Sequence, residues 1–156
     1  MNYHWWERIL IAVAATPLGG WLVLHFLTYI DIPVMRWSRG AFSFSKLLTG
    51  IPTLLLTAKG AKSGQPRTVP LLYTQDGEKL IVIASATGID HHPSWYYNLK
   101  AHPQAEILIN GQARQVTARE AEGAERERLW KQAVEIYWPY RVYEKRAANR
   151  RIPVMV

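Results

Sequence analysis

The segment Thr57–Pro70 reads TAKGAKSGQPRTVP, and it lies between two runs of β-favouring residues, TLLLT at 53–57 and TVPLLY at 68–73. Gly60 and Gly64 permit the positive φ angles that a tight connection often needs. A hairpin connection between two antiparallel strands is therefore predicted here.

The same connection has the chemistry of an anion-binding turn. Lys62 and Arg67 supply positive charge, Ser63 supplies a hydroxyl group, and the glycines let backbone N–H groups turn toward one point. Such a concavity suits a phosphate or a carboxylate. A solvated lysine-rich turn has the same composition and is the alternative. The spacing of a Walker phosphate loop is absent, and a strand rather than a helix follows.

The composition indicates one basic domain. The 156 residues include 19 Lys and Arg against 12 Asp and Glu, a formal net charge of +7, and 49% are hydrophobic. The charge favours anionic partners, but no nucleic-acid recognition motif accompanies it, so we predict no nucleic-acid partner. Without cysteine there are no disulfides, thiolate metal ligands or cysteine nucleophiles.

Residues 1–40 are predicted to form an N-terminal hydrophobic helical segment. Ile9–Ile30 contains no charged residue and matches the ~20 residues that cross a bilayer as a helix. Arg36, Arg39 and Lys46 follow it, and this bias places the rest of the chain on the cytoplasmic face of the cell membrane. A proline and two glycines interrupt the segment. We predict membrane-lipid association, with a hydrophobic helix covering the barrel as the alternative.

Residues 41–156 show the turn signals of a mostly antiparallel sheet. Asp76-Gly77 and Asn110-Gly111 each lie between strand-like runs and predict hairpin turns, the second of type I′. The apolar run LIVIA at 80–84 predicts a central strand. We also predict helices over 94–101 and 124–138, a break at Pro139 and a second helical turn or helix over 140–143. A helix-to-strand connector over 31–50 and a last strand over 152–156 complete the prediction. About six strands with interposed helices give an α+β fold built on an antiparallel barrel.

Three tyrosines near the C-terminus are regularly spaced. Tyr137, Tyr140 and Tyr143 would lie on roughly one side of a single helix. From spacing alone, a buried aromatic stripe is the simplest explanation. The basic residues between 141 and 151 predict a solvated face, with contact to lipid headgroups or to a cofactor tail as alternatives.

His91 and His92 do not form a convincing metal site. Adjacent histidines point apart, and no acidic or histidine partner follows three or four residues later. We predict no metal.

Five stretches together resemble the deazaflavin-dependent nitroreductase and quinone reductase family, from about Asp31 to the C-terminus. They are GAKSGQPRTVPLLY, ASATG, HPSWYYNLKAHP, VTARE and RIPVMV. The resemblance implies a split β-barrel related to the FMN-binding pyridoxamine-phosphate-oxidase barrel. It also implies an oxidoreductase that passes hydride from reduced coenzyme F-420 to a quinone, nitroaromatic or enone acceptor.

The resemblance also implies roles for individual residues. Ser85 would face the coenzyme ring, and Tyr137, Tyr140 and Tyr143 would line the acceptor pocket, where a phenol donates a hydrogen bond or proton to the acceptor oxygen. Ser85 and these tyrosines are the candidate catalytic residues. The candidate cofactor-binding residues are Lys62, Ser63, Gly64, Arg67, Pro70, Ser85, Trp95 and Asn98.

Departures from the family pattern keep two alternatives open. Ala61 and Ala86 stand where cationic or polar side chains are common, and Leu72 replaces an aromatic residue of the acceptor pocket. One alternative is the same barrel with FMN as its cofactor. The other is a non-catalytic membrane-bound binding or assembly subunit. If the protein is instead a deazaflavin-dependent reductase, we expect its acceptor to be a lipophilic quinone that the N-terminal segment brings near the site.

Overall fold

The computed structural model describes Thr28–Ala147 and Arg150–Val156, together with the single residues Ala12, Thr16, Gly19 and Phe26. The helices within it are α1 (Thr28–Trp37), α2 (Phe44–Thr49), α3 (Ser94–Ala101), α4 (Gly123–Ile136) and α5 (Pro139–Arg146). The strands are β1 (Thr53–Lys59), β2 (Pro66–Asp76), β3 (Lys79–Ile83), β4 (Gln104–Ile109), β5 (Gln112–Thr117) and β6 (Val154–Met155).

The six strands form one antiparallel sheet in the order β5-β4-β1-β2-β3-β6. Strand β2 pairs with β1 as far as Leu72 and with β3 from Tyr73 onward, so it belongs to both halves of the sheet. The chain after β5 then meets β6, because Arg119 and Val156 exchange two backbone hydrogen bonds of 2.8 Å. The sheet thus curls toward closure, and the predicted α+β split barrel is confirmed.

Local turn chemistry sets the hairpins. Asn110 and Gly111 have φ angles of 46° and 83°, the left-handed pair that a type I′ turn requires, and Ile109 pairs with Gln112 across it. At the second predicted hairpin Asp76 pairs with Lys79. The connection after β1 is also a hairpin, since Lys59 pairs with Pro66. These three predictions are confirmed.

Two apolar clusters form the core of the described part of the chain. One joins β3 and β6 to helices α4 and α5, with Leu129 and Ala133 fully buried. The other joins β1 and β4 to α3 through Leu54, Leu56 and Trp95. Burial of a side chain such as that of Leu129 stabilises the fold by roughly 1.5–3 kcal/mol. Helices α3 and α5 belong to different clusters, yet residues of both line one cleft.

The predicted connector over 31–50 was wrong in its local structure, because this stretch forms α1 and α2. The buried carboxylate of Asp31 accepts hydrogen bonds from the backbone N–H groups of Phe44 (2.6 Å) and Ser45 (3.1 Å), at the start of α2. Ser43 caps the same helix by accepting from the Lys46 N–H at 3.0 Å. Such contacts supply partners that a short helix lacks. Thirteen residues separate Asp31 from Phe44, so no local pattern reveals the contact.

The N-terminal prediction lies mainly outside the described residues, since most of Ile9–Ile30 does. Within the part of the chain that the structure describes, we find no helix both long and apolar enough to cross a membrane. The division of the chain at residue 40 stays a prediction. Helix α1 lies against β2, and the Arg36 side chain donates to Thr68 Oγ1 at 3.1 Å.

Candidate functional site

A cleft of about 1090 Å³ lies beside the first part of β2, where residues 67–72 line it. Its walls are the β1–β2 loop, the turn after β3, the start of α3 and the region where α4 meets α5. The structure brings together at this cleft every candidate residue except Gly64. They are Lys62, Ser63, Arg67, Pro70, Ser85, Trp95, Asn98, Tyr137, Tyr140 and Tyr143.

Two glycines shape the β1–β2 loop in different ways. Gly64 has a φ of 68°, whereas Gly60 has no positive φ, so that expectation for Gly60 was wrong. Gly60 is needed for space, because a Cβ atom there would lie 2.6 Å from Ser63 Oγ and 3.1 Å from the Gln65 carbonyl oxygen. Gly60 N–H donates to that carbonyl at 2.9 Å, which closes the loop. Gly64 shapes the turn without lining the cleft.

Helix α3 holds the β1–β2 loop in position through a side-chain hydrogen bond. The Asn98 side chain is 8% exposed, and its Oδ1 accepts a hydrogen bond from the Ala61 N–H at 2.9 Å. Trp95, one turn earlier, packs into the cluster with Leu54 and Leu56. Asn98 and Trp95 therefore position the loop, while the exposed side chains of Lys62 and Arg67 face solvent at the cleft.

The cleft wall is cationic. Among the described residues that line it, none is an aspartate or glutamate, whereas Lys62 and Arg67 are present. Ser63 adds a hydroxyl group beside them. This donor set fits a phosphate and carboxylates at one end of the cleft, and the apolar and aromatic lining fits a flat ring deeper inside.

The turn after β3 has an unusual backbone. Ala86, Thr87 and Gly88 have φ angles of 45°, 54° and 83°, and left-handed conformations at non-glycine residues cost roughly 1–3 kcal/mol each. Ser85, at the start of this turn, is nearly buried and lines the cleft. The turn needs stabilising contacts from elsewhere in the fold.

Two arginines supply those contacts. Arg150 donates to the carbonyl oxygens of Ser85 (2.6 Å), Ile89 (2.8 Å) and Ala84 (3.3 Å). Arg146 donates to the Thr87 carbonyl at 2.9 Å. The prediction that the basic residues of 141–151 form a solvated face was therefore wrong for these two arginines. No sequence signal near Arg150 identifies carbonyl partners some 60 residues away.

The three tyrosines meet at the cleft without sharing a helix. Tyr137 ends α4, and Pro139 begins α5, which carries Tyr140 and Tyr143. Their ring centroids lie 5.0 to 6.4 Å apart, and the hydroxyls of Tyr137 and Tyr143 are 3.4 Å apart. All three side chains are buried, and burial raises the pKa of Tyr143. The predicted break at Pro139 and the second helix are confirmed, and the predicted grouping of the tyrosines is present.

The adjacent histidines make separate contacts. His91 Nδ1 lies 2.7 Å from the exposed Asp90 carboxylate, whereas His92 Nδ1 lies 3.0 Å from Arg150 Nη1. Within the described ranges, no three His, Asp or Glu side chains gather as a metal site would require. Both histidines line the cleft.

A curled antiparallel barrel with a cationic loop and an aromatic wall around one cleft defines a split-barrel protein that binds a flat, anionic cofactor. The chain belongs to the F420H(2)-dependent quinone reductase family, whose model matches residues 32–156. This membership confirms the predicted family, the oxidoreductase class and coenzyme F-420 as the cofactor.

Individual relatives agree with this assignment. A putative F420H(2)-dependent quinone reductase of Mycobacterium tuberculosis strain H37Rv is 40% identical over 106 residues, which are 68% of this chain and 88% of that protein. An F420H(2)-dependent quinone reductase of the same strain is 40% identical over 108 residues, which are 67% and 72% of the two chains.

Solved structures share the fold. The F420-H2 dependent reductase FDR-A is 45% identical with a TM-score of 0.61, and the match covers 67% of this chain and 91% of that one. A structure described as a domain-swapped dimer is 37% identical with a TM-score of 0.63, and the match covers 81% and 95% of the two chains.

Replacing Gly88 with alanine tests the contact between the β3 turn and α5. A Cβ atom at Gly88 would lie 2.6 Å from the Tyr143 carbonyl oxygen and 2.8 Å from Tyr143 Cα. Gly77→Ala is the matched control, since Gly77 also has a positive φ but nothing within 4 Å of a built Cβ. We expect Gly77→Ala to cost about 1 kcal/mol of unfolding free energy, and Gly88→Ala to cost about 1–3 kcal/mol more.

Urea denaturation of both variants measures the difference. Equal losses of unfolding free energy would contradict the tight packing of this turn on α5.

Proposed function

We propose that the protein transfers hydride from reduced coenzyme F-420 to a quinone within the cleft beside β2. The observation that carries the proposal is that a cationic loop and three buried tyrosines line the same cleft. The loop and the tyrosines are about 70 residues apart in the sequence. The loop suits the anionic parts of the coenzyme, and the tyrosines suit a carbonyl acceptor.

The coenzyme end of the cleft is formed by Lys62, Ser63 and Arg67. A deazaflavin coenzyme carries a phosphate and a glutamate tail, both anionic, beside a flat ring that supplies the hydride when bound. The two cations and the hydroxyl would hold the phosphate and tail through charge-assisted hydrogen bonds. Pro70 and Ser85 line the cleft farther along and would border the ring.

Trp95 and Asn98 would act by position rather than by charge. Asn98 holds the Ala61 N–H, which keeps the loop carrying Lys62 against α3. Its amide oxygen is therefore already engaged within the protein. We assign both residues to the support of the coenzyme site.

The acceptor end is formed by Tyr137, Tyr140 and Tyr143, with Leu72 and Ile83 beside them. Burial raises the pKa of Tyr143, so its phenol remains protonated in neutral solution. A protonated phenol in an apolar pocket would donate a hydrogen bond to the quinone oxygen as negative charge develops there. The protein thereby stabilises the reduced acceptor while its apolar wall excludes water.

We also propose that α1 and α2 contact anionic lipid at the cytoplasmic face of the cell membrane. Trp37 is 88% exposed, Tyr29 75% and Leu47 52%. The exposed cation Lys46 lies on α2, and the exposed Arg39 lies in the connection between α1 and α2. Apolar side chains next to cations suit an anionic bilayer surface. Thr28, at the start of α1, lines the cleft, so this contact would bring the cleft near a lipophilic quinone.

The coenzyme site is tested by Lys62→Ala, with Lys59→Ala as its matched control. Lys59 is an exposed lysine of the same hairpin that does not line the cleft. Loss of a charged hydrogen bond costs about 1.5–3 kcal/mol, so we expect F-420 to bind about ten- to a hundredfold more weakly to Lys62→Ala. Lys59→Ala should bind nearly as wild type does. Fluorescence titration with F-420 measures both, and equal affinities would refute the assigned role of Lys62.

The acceptor site is tested by Tyr143→Phe. Removing the hydroxyl should lower kcat/KM for quinone reduction by about 10²–10⁴, the range expected for a lost proton donor, and leave F-420 affinity unchanged. Tyr73→Phe is the control, because Tyr73 is also buried but lies in the other apolar cluster. Steady-state assays with a soluble quinone give the comparison. Wild-type kcat/KM in Tyr143→Phe would exclude this role.

The lipid contact is tested by flotation of the full chain with vesicles. Changing Arg39 and Lys46 together to glutamine should weaken binding to anionic vesicles by roughly thirtyfold, since each surface cation contributes about 1 kcal/mol. The control changes Arg114 and Lys131 to glutamine, which removes the same charge from other exposed positions. If both pairs weaken flotation equally, the proposed face is not the one that meets lipid.

A further inference from the structure

His92 is held in one protonation state by its neighbour. Arg150 Nη1 lies 3.0 Å from His92 Nδ1, and a guanidinium group can only donate hydrogen bonds. Nδ1 must therefore carry a lone pair, which makes the imidazole neutral and places its proton on Nε2. Desolvation and the nearby positive charge of Arg150 lower the pKa of His92 in the same sense, although Glu120 opposes them.

The ring of His92 is also held in place. It packs on Tyr96 and Tyr97, with ring centroids 4.8 and 5.9 Å away. The Tyr96 hydroxyl donates to Glu120 at 2.9 Å, which also receives Lys100 at 3.1 Å. Burial and Glu120 raise the pKa of Tyr96 to about 12, so this anchor stays protonated across the neutral range.

His92 lines the cleft, and its neutral imidazole carries one N–H donor. His92 and Ser85 both line it, and both are bound by the same guanidinium group. His92 therefore lies on the side of the cleft that borders the proposed coenzyme ring. The pyrimidine edge of a deazaflavin ring carries carbonyl oxygens, which accept hydrogen bonds from such a donor.

We propose that His92 binds the coenzyme ring through an Nε2–H hydrogen bond, and that Arg150 is the positioning residue that keeps Nε2 protonated and Nδ1 free of a proton. This inference rests on the proposed function, because it takes coenzyme F-420 as the ligand. It assigns roles to His92, which lines the cleft, and to Arg150, which contacts His92. A cationic Arg150 behind a neutral imidazole also polarises the ring, which strengthens the donor on its opposite nitrogen.

Binding to matched variants tests the donor. His92→Phe keeps an aromatic ring that can pack on Tyr96 and Tyr97 but has no N–H group. His92→Gln places an amide N–H near the position of Nε2. By fluorescence titration with oxidised F-420 we expect about a tenfold loss of affinity in His92→Phe and less than about threefold in His92→Gln. Unchanged affinity in His92→Phe, or equal losses in both variants, would overturn the proposal.

The role of Arg150 is tested by a spectroscopic measurement. ¹⁵N NMR of imidazole-labelled protein at neutral pH should show His92 with protonated Nε2 and unprotonated Nδ1 in the wild type. Arg150→Gln should give a mixture of tautomers or a cationic ring. A cationic ring or the opposite tautomer in the wild type would refute the proposal, and the wild-type spectrum is decisive even if Arg150→Gln does not fold.

The two proposals fail in different ways. If the wild type does not bind F-420, the proposed function fails whatever the His92 tautomer is. If the wild type binds F-420 and His92→Phe binds it equally well, only the role of His92 fails.

Discussion

The guanidinium group of Arg150 is the contact on which the cleft depends. It binds three backbone carbonyl oxygens of the turn after β3, and it binds His92 just before α3. The turn contains consecutive left-handed residues whose conformation is unfavourable by itself. Charged hydrogen bonds from a partly buried donor offset that cost. The position of Ser85 therefore depends on a side chain 65 positions later in the chain.

This turn also connects the two ends of the proposed site. Gly88 lies against the backbone of Tyr143 with no room for a Cβ atom, and Arg146 of the same helix binds the Thr87 carbonyl. Any shift of the turn must therefore move α5 and its tyrosines as well. On the opposite side, Asn98 connects α3 to the cationic loop. The cleft is thus bordered by segments that are bound to one another as well as to the barrel.

The sequence predicted the features that depend on neighbouring residues. Asn110-Gly111 specifies its hairpin locally, and the glycines, serine and cations of 57–70 predict both a hairpin and an anion-binding loop. It did not predict α2, whose cap comes from Asp31, or the carbonyl contacts of Arg146 and Arg150, because these depend on tertiary proximity. Pro139 predicted the division between α4 and α5, whereas the approach of the three tyrosine rings across that division depends on how the two helices pack.

The contact between Arg150 and Ser85 also has a consequence for folding order. It joins residues 65 positions apart in the chain, so its formation carries a loop-closure cost that the local hairpins avoid. The hairpins can form early, but the turn beside Ser85 gains its stabilising partner only when β6 has paired with β3. A chain with most of its sheet already hydrogen-bonded would therefore still lack an organised cleft, and competence to bind a ligand would be among the last properties it acquires.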